Sequence, residues 1–337
     1  MKKYPISVVF LTRRCNLRCE YCRWPASAGR YPDRSFEEWR PYLDWMLENS
    51  EHVNLIGGEP TIHPDFDQIV KYLADAGASF SLTSNAVTAS PRNLGKWRDL
   101  GLYNWSVSID GLFEGAAVGR QAWEKADGGW GSLVLAEEMG YRERHATIVA
   151  TGRNFLFLPE LVQTLTAQGV WAEVTVLSWA KAPGYDVWPS EAEITPFKIP
   201  ADTVWRETCE ELALWAKTDP LAHNREPGYF DNELAFQGPH LTWFCSRPAM
   251  VFDADCRLRL CREIRGHYVP GLDPLTMSYQ EWYEAWQRDV RAFCRGCLWD
   301  CHWQVCYWAD REEEEAARTF THGIRSEGDG LGIVSGV

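Results

Sequence analysis

A chain of 337 residues, 45% hydrophobic and 24% charged, has room for one large domain and a smaller one, and its make-up is that of a water-soluble globular protein. The net charge of −13 argues against a nucleic-acid partner, since no basic stripe is present to neutralise phosphates, and no apolar run is long enough to cross a membrane. Eleven cysteines favour metal over disulfides, and the apolar segment that follows Met1-Lys2-Lys3 is too short before Arg13 for a secretory signal, so a reducing cytoplasm is expected.

Strands and helices alternate through the first half. Ile6–Leu11 reads as a first strand, running into Arg13-Arg14-Cys15-Asn16-Leu17-Arg18-Cys19-Glu20-Tyr21-Cys22. Ser35 and Glu38 form a Ser-x-x-Glu capping box, opening a helix with Phe36, Trp39, Leu43, Met46 and Leu47 on its inner face. Val53–Ile56 is a second strand that ends in Gly57-Gly58-Glu59-Pro60. Phe66, Ile69, Val70 and Leu73 mark the next helix, stopped by Gly77. A third strand, Ser79–Thr83, closes on Ser84-Asn85, and a fourth, Trp105–Ile109, closes on Asp110-Gly111. Ala146–Ala150 is a fifth strand, followed by Arg153-Asn154 and a Leu158–Leu165 helix. Ala172–Leu177 is a sixth, ending at Ser178. Six such units predict an α/β fold built on a partial (β/α)6 TIM barrel, with functional residues gathered at the carboxyl ends of the strands. The polar residues at those ends outline one rim, although each taken alone is as well explained as a helix cap.

Beyond the barrel, Trp179–Pro200 is rich in Pro, Gly, Tyr and Trp and marks the exit. A helix is expected over Asp202–Lys217, with Cys209 beside Trp205, Leu212 and Ala216 as a small core hydrophobe. Thr218–Gly238 is loop-like. Val251–Leu260 has the pattern of a hairpin, a helix follows over Tyr279–Val290, and the tail from Arg311 carries Glu312–Glu315 before a Gly-rich, mobile end. The expected organisation is a barrel over 1–190, a connection over 191–240, a small cysteine-rich hairpin–helix domain over 241–310 and a tail over 311–337.

Cys15, Cys19 and Cys22 supply three thiolates where a cubane iron–sulfur cluster takes four, which leaves one iron open. A zinc knuckle is the alternative, but structural zinc closes its shell with four ligands at tighter spacing, and the first histidine is His52. The C-x3-C-x-aromatic-C loop after the first strand, with Gly57-Gly58-Glu59-Pro60 after the second, resembles the radical S-adenosylmethionine (radical SAM) superfamily. The resemblance implies a [4Fe–4S] cluster whose open iron is chelated by SAM, which is cleaved reductively to a 5′-deoxyadenosyl radical that abstracts a substrate hydrogen. It implies roles for Gly57 and Gly58 in close backbone approach to the ligand, for Glu59 in accepting from the SAM ammonium, for Pro60 in fixing the turn and for Tyr21 beside the adenine. Ser108 and Asp110 would reach the ribose or the methionyl carboxylate. Ser84 and Asn85 would do similar work on the neighbouring strand, and Asn154 joins them as a cofactor-binding candidate. Arg13, Arg14 and Arg18 are expected to face SAM or the substrate.

Cys245, Cys256, Cys261, Cys294, Cys297, Cys301 and Cys306 form a second set. Hairpin, helix and cysteine-rich turn in this order resemble the twitch and SPASM extensions of radical SAM enzymes, which carry auxiliary clusters. Cys245, Cys261, Cys294 and Cys297 meet the twitch pattern and imply at least one auxiliary [4Fe–4S] cluster, with Cys301 and Cys306 next in rank. The SPASM spacing is not met. Cys256 stands where that pattern has a glycine, and is a ligand, a hydrogen-atom donor or a turn residue. A zinc site on Cys294, Cys297, Cys301 and His302 or Cys306 is the competing account.

Eighteen tryptophans are the compositional outlier. Core packing accounts for most; others in a concave site would stack on sugar or base rings, and Trp299, Trp303 and Trp308 would shield a metal centre. With that composition and no leader-binding domain ahead of Cys15, the expectation is a small substrate of sugar, aminocyclitol or nucleoside type, with flavodoxin or ferredoxin as electron donor. The expected outcome is oxidation, epimerisation or rearrangement by a radical SAM oxidoreductase. A peptide- or protein-modifying maturase is the first alternative, and a non-radical iron–sulfur or zinc protein the second.

Overall fold

A computed structural model describes residues 4–22, 32–111, 123–177, 192, 195–200, 203–223, 229–230, 250–259 and 273–293. Eight strands are formed among them: β1 Tyr4–Thr12, β2 Ser50–Gly57, β3 Phe80–Leu82, β4 Asn104–Ser108, β5 Glu143–Ala150, β6 Trp171–Val176, β7 Met250–Phe252 and β8 Leu258–Arg259. The helices are α1 Phe36–Asn49, α2 Phe66–Asp75, α3 Pro91–Asp99, α4 Trp123–Glu138, α5 Leu158–Ala167, α6 Thr203–Thr218 and α7 Tyr279–Phe293.

The strands β1 to β6 are all parallel, as six βα units require. They make two sheets, in the order β3-β2-β1-β7-β8 and β4-β5-β6, joined where Ser84 at the end of β3 bridges to Val107. The sheet order thus runs from β6 through β4 to β3 and on to β1, an arc rather than a closed barrel. The expected hairpin is present as the antiparallel pair β7 and β8, and β7 extends the sheet by lying parallel to β1.

Alternation along each strand explains the layering. Val53 and Leu55, Phe80 and Leu82, Ala146, Ile148 and Ala150, and Ala172, Val174 and Val176 are buried against the helices. The intervening residues, His52, Asn54, Ser81, Thr147 and Glu173, point to the opposite face of their strands and are half-buried. The capping box of α1 is formed as expected: Ser35 accepts from the Glu38 amide and the Glu38 carboxylate accepts from the Ser35 amide. Phe36, Trp39, Leu43 and Met46 are its buried face. Gly77 ends α2 with φ +68°, where only glycine is unstrained.

Two helices are not indicated by apolar periodicity. The α3 helix is short and polar, and its signal is local: Ser90 caps it and Pro91 opens it. Glycines at 128, 129 and 131 disguise α4, yet Gly129 brings it close to the sheet. A Cβ there would lie 3.0 Å from Ile109 Cγ1. Described tryptophans are largely core: Trp39, Trp105, Trp205 and Trp282 are fully buried. The expected tail, Ser178, and Cys245, Cys261, Cys294, Cys297, Cys301 and Cys306, with Trp299, Trp303 and Trp308, lie outside the described residues.

Candidate active site

The cysteine loop leaves β1 at Thr12 and is braced by the Gly-Gly-Glu segment that leaves β2. Gly58 N–H donates to the Thr12 carbonyl and Glu59 N–H to the Arg14 carbonyl, both at 2.8 Å. A Cβ on Gly58 would sit 2.1 Å from the Arg14 carbonyl oxygen, and one on Gly57 2.4 Å from that of Thr12. Gly57 also has φ +148°. The close approach these glycines permit is therefore to the root of the cysteine loop. Pro60 is buried and starts the short 3-10 turn Pro60–Ile62.

Glu59 is 1% exposed and serves as the hub between strand ends. Its Oε1 accepts from Ser84 Oγ at 2.8 Å and from the Thr61 hydroxyl and amide, and its Oε2 accepts from the Asn85 amide at 2.7 Å. Burial pushes its carboxyl above the usual carboxylate range, opposed by these donors. Ser84 ties β3 to β4 through its main chain, donating to Ser106 and accepting from Ser108. Asn85 reaches the cysteines: its Nδ2 donates to Asn16 Oδ1 at 2.8 Å and lies 3.5 Å from Cys15 Sγ. Ala86, next in the chain, has φ +61°.

Cys15, Cys19 and Cys22 are half-buried and occupy one loop. Leu17 N–H points at Cys15 Sγ at 3.3 Å, and Cys22 N–H donates to the Cys19 carbonyl at 2.9 Å. Burial raises the Cys15 thiol pKa, while the Leu17 amide and Asn85 lower it by favouring the thiolate. Among the described residues no three His, Cys, Asp or Glu side chains converge as a single-ion site. A cubane places each thiolate on a different iron, and three thiols in a loop with amide donors aimed at sulfur suit that group.

Across the mouth, Tyr21 donates its hydroxyl to Asp110 Oδ2, while Asp110 Oδ1 accepts from the Val149 amide at 3.0 Å. Asp110 is 1% exposed. Asn154 is equally committed: its Nδ2 donates to the carbonyls of Asp110 and Val149, and its Oδ1 accepts from Thr151. Arg153 pairs with Glu20 at 3.1 Å and lies 4.4 Å over the Phe197 ring, whose edge also meets Tyr21. Ser108 is half-buried at the end of β4. The structure thus brings Tyr21, Glu59, Ser84, Asn85, Ser108, Asp110 and Asn154 to one rim with the cysteines, but Glu59, Asp110 and Asn154 spend their polar atoms on one another's strands.

The arginines differ from expectation. Arg13 is buried against Asp253, Arg14 pairs with Asp33 and donates to the Ile62 carbonyl, and Arg18 donates to the carbonyls of Cys15 and Leu17. Only Arg18 serves the loop's own carbonyls; Arg13 and Arg14 tie the loop to carboxylates elsewhere in the fold. Cys256 sits in the β7–β8 turn with φ +65°, 4% exposed, its thiol directed at the Glu38 carbonyl of α1 and its pKa pushed up to about 12 by burial. Of its three expected roles this is the geometry of the turn residue. The Asp253 partner of Arg13 had no signal in the sequence pattern.

The sequence profile of the radical SAM superfamily matches residues 9–126. PqqA peptide cyclase of Bradyrhizobium diazoefficiens is 33% identical over 116 residues, which are 34% of this chain and 30% of that protein. AdoMet-dependent heme synthase of Methanosarcina barkeri is 35% identical over 104 residues, 30% of each chain. The chain therefore matches under a third of the length of these relatives. Streptococcus suis SuiB bound to its precursor peptide SuiA superimposes with a TM-score of 0.63 at 16% identity, covering 86% of this chain and 67% of SuiB. The anSMEcpe enzyme with bound AdoMet gives 0.59 at 12% identity, covering 84% and 80%. At such identities these two likenesses concern the fold, and the fold agrees with the partial barrel. Among the described residues no helix is long and apolar enough to cross a membrane. With the cysteine loop, its Gly-Gly-Glu brace and the parallel arc in place, the chain carries a radical SAM domain over residues 9–126.

Proposed function

We propose that this protein is a radical SAM enzyme that modifies a peptide or protein substrate. The observation that carries the reading is the 33% identity over 116 residues, a third of the chain, to PqqA peptide cyclase. The fold likeness to SuiB, solved with its precursor peptide SuiA, leans the same way. The expected sugar, aminocyclitol or nucleoside substrate loses support, because the described tryptophans are largely core residues. A small molecule remains the second reading through the heme synthase relative.

In this reading Cys15, Cys19 and Cys22 hold a [4Fe–4S] cluster and the rim from Glu59 to Asn154 shapes the SAM site. Bound there, cluster and SAM supply a one-electron reductive cleavage and the radical that removes a substrate hydrogen atom. The chain's own part is positional. Glu59 locks the second and third strand ends, Asn85 offers an N–H to the Cys15 sulfur, and Tyr21 closes the loop over Asp110. Cys245, Cys261, Cys294 and Cys297, with Cys301 and Cys306 next in rank, would hold an auxiliary [4Fe–4S] cluster, which would supply an acceptor for an electron from the substrate and so suit a two-electron oxidation.

Anaerobic reconstitution with iron, sulfide, SAM and dithionite tests the reading. 5′-Deoxyadenosine release should rise when short peptides are supplied, first those encoded beside the gene. Release stimulated only by tetrapyrroles, sugars or nucleosides would transfer the assignment to a small-molecule enzyme.

A further inference from the structure

Asp253 lies at the tip of the C-terminal hairpin, 240 positions from Arg13, yet the two form a forked ion pair with side chains 0% and 1% exposed. Arg13 Nε donates to Oδ1 at 2.9 Å and Nη2 to Oδ2, while Arg259 of β8 grips Oδ2 from the other side and is itself 4% exposed. Asp253 is in turn fixed by its own turn. Its amide donates to the Arg257 carbonyl, its carbonyl accepts from Cys256 N–H, and Oδ1 also accepts from Ala254 N–H. The turn sits at the carboxyl end of β7, where β7 runs parallel beside β1 with Val9 opposite Phe252. Arg13 precedes Cys15 by two residues, and Arg259 precedes Cys261 by two. One carboxylate therefore ties the root of the first cysteine loop to the hairpin strand that leads towards Cys261 in the sequence.

A buried ion pair is a poor source of stability, since apolar residues of like volume commonly serve as well once desolvation is counted. What the fork provides is direction: two parallel N–H···O bonds fix both the place and the plane of a guanidinium. We propose that Asp253 is a positioning residue for the radical SAM site, holding the root of the Cys15–Cys22 loop through Arg13 so that the cluster is presented correctly to SAM. The inference rests on the radical SAM reading of that loop and is independent of the substrate class.

The test uses the full chain, reconstituted anaerobically, in three forms: parent, Arg13→Lys, and the apolar triple Arg13→Met/Asp253→Leu/Arg259→Met. Arg13→Lys keeps the charge and loses the fork; the triple removes every buried charge of the group together. Three quantities are read: iron per chain, thermal melting, and the SAM-dependent change in the electron paramagnetic resonance signal of the reduced cluster, titrated for affinity. The expected result is parental iron content in both variants, with SAM affinity weaker by about ten-fold or more, the scale of one lost charge-assisted hydrogen bond. The altered cluster signal should persist in the triple even where its melting point is parental. Parental affinity and signal in Arg13→Lys would overturn the proposal, whether or not the triple folds. Absence of any SAM-dependent signal in the parent itself would instead strike the radical SAM reading.

Discussion

Tyr21 donates its hydroxyl to the carboxylate of Asp110, 89 positions further along the chain, and so pins the last turn of the cysteine loop to the end of β4. Each residue was expected to meet SAM. The geometry has them meet each other, with Val149 N–H supplying the second donor to Asp110. A double-mutant cycle separates the two accounts. If Asp110 serves SAM only through Tyr21, then Tyr21→Phe and Asp110→Ala should weaken SAM binding by similar factors, and the double variant should be no worse than either. Each single change should cost about 1–3 kcal/mol of stability, since it strips a partner from a buried group. Independent, additive losses in SAM affinity would mean direct contact by Asp110.

Replacing Gly58 by alanine drives a Cβ to 2.1 Å from the Arg14 carbonyl oxygen, a backbone atom that cannot step aside alone. Overpacking of this kind costs about 1–3 kcal/mol, and here it displaces the loop root. The variant should melt several degrees lower and take up less iron at the first site. Unchanged melting and iron content would show that the Gly-Gly-Glu segment is looser than its contacts suggest.

Asn85 offers its amide to Cys15 Sγ at 3.5 Å. Hydrogen bonds to cluster sulfur stabilise the more negative, reduced state and raise the potential. Asn85→Leu should move the midpoint of the cluster to more negative values, read by a redox titration of the reduced signal. An unmoved midpoint would leave Asn85 only its bond to Asn16.

His52 lies between the hydroxyls of Ser79 and Ser81, at 2.8 and 2.7 Å, and burial lowers its pKa from 6.5 to about 4. The folded state therefore binds fewer protons than the unfolded chain. Its contribution to stability is complete above pH 6.5 and is lost as the pH falls through about 4. The size is about 2–3 kcal/mol, with His63 and His145 adding acid sensitivity of the same sign. Urea unfolding at pH 7.5 and 4.5 should show a smaller loss in His52→Gln than in the parent; equal losses would assign the acid response to the other histidines.

Replacing Cys15, Cys19 and Cys22 together by alanine should abolish 5′-deoxyadenosine formation while leaving iron on the C-terminal cysteines. About four irons per chain in that variant would match one auxiliary [4Fe–4S] cluster. Zinc in place of iron would make the second cysteine set structural.

The sequence by itself determined what is local. The three cysteines lie within eight residues, the Ser35–Glu38 capping box within four, and alternating strand and helix periods fixed a parallel α/β arc to within a few residues at each end. Such features depend on neighbours in the chain, so spacing alone exposes them. Periodicity says which face of a strand is buried and nothing about what it meets, and α4 escaped because three glycines lower its helix propensity, of which Gly129 gains close approach to Ile109. Only the tertiary structure decided the partners. It set Tyr21 on Asp110, Asn85 beside Cys15, β7 along β1 and Arg13 on Asp253, at separations from 70 to 243 residues. It also turned Gly57 and Gly58 towards the root of the cysteine loop and placed Trp39, Trp105, Trp205 and Trp282 in the core. These outcomes follow from which strand ends come together, and burial then forces each polar group that meets there to find its bond within the protein.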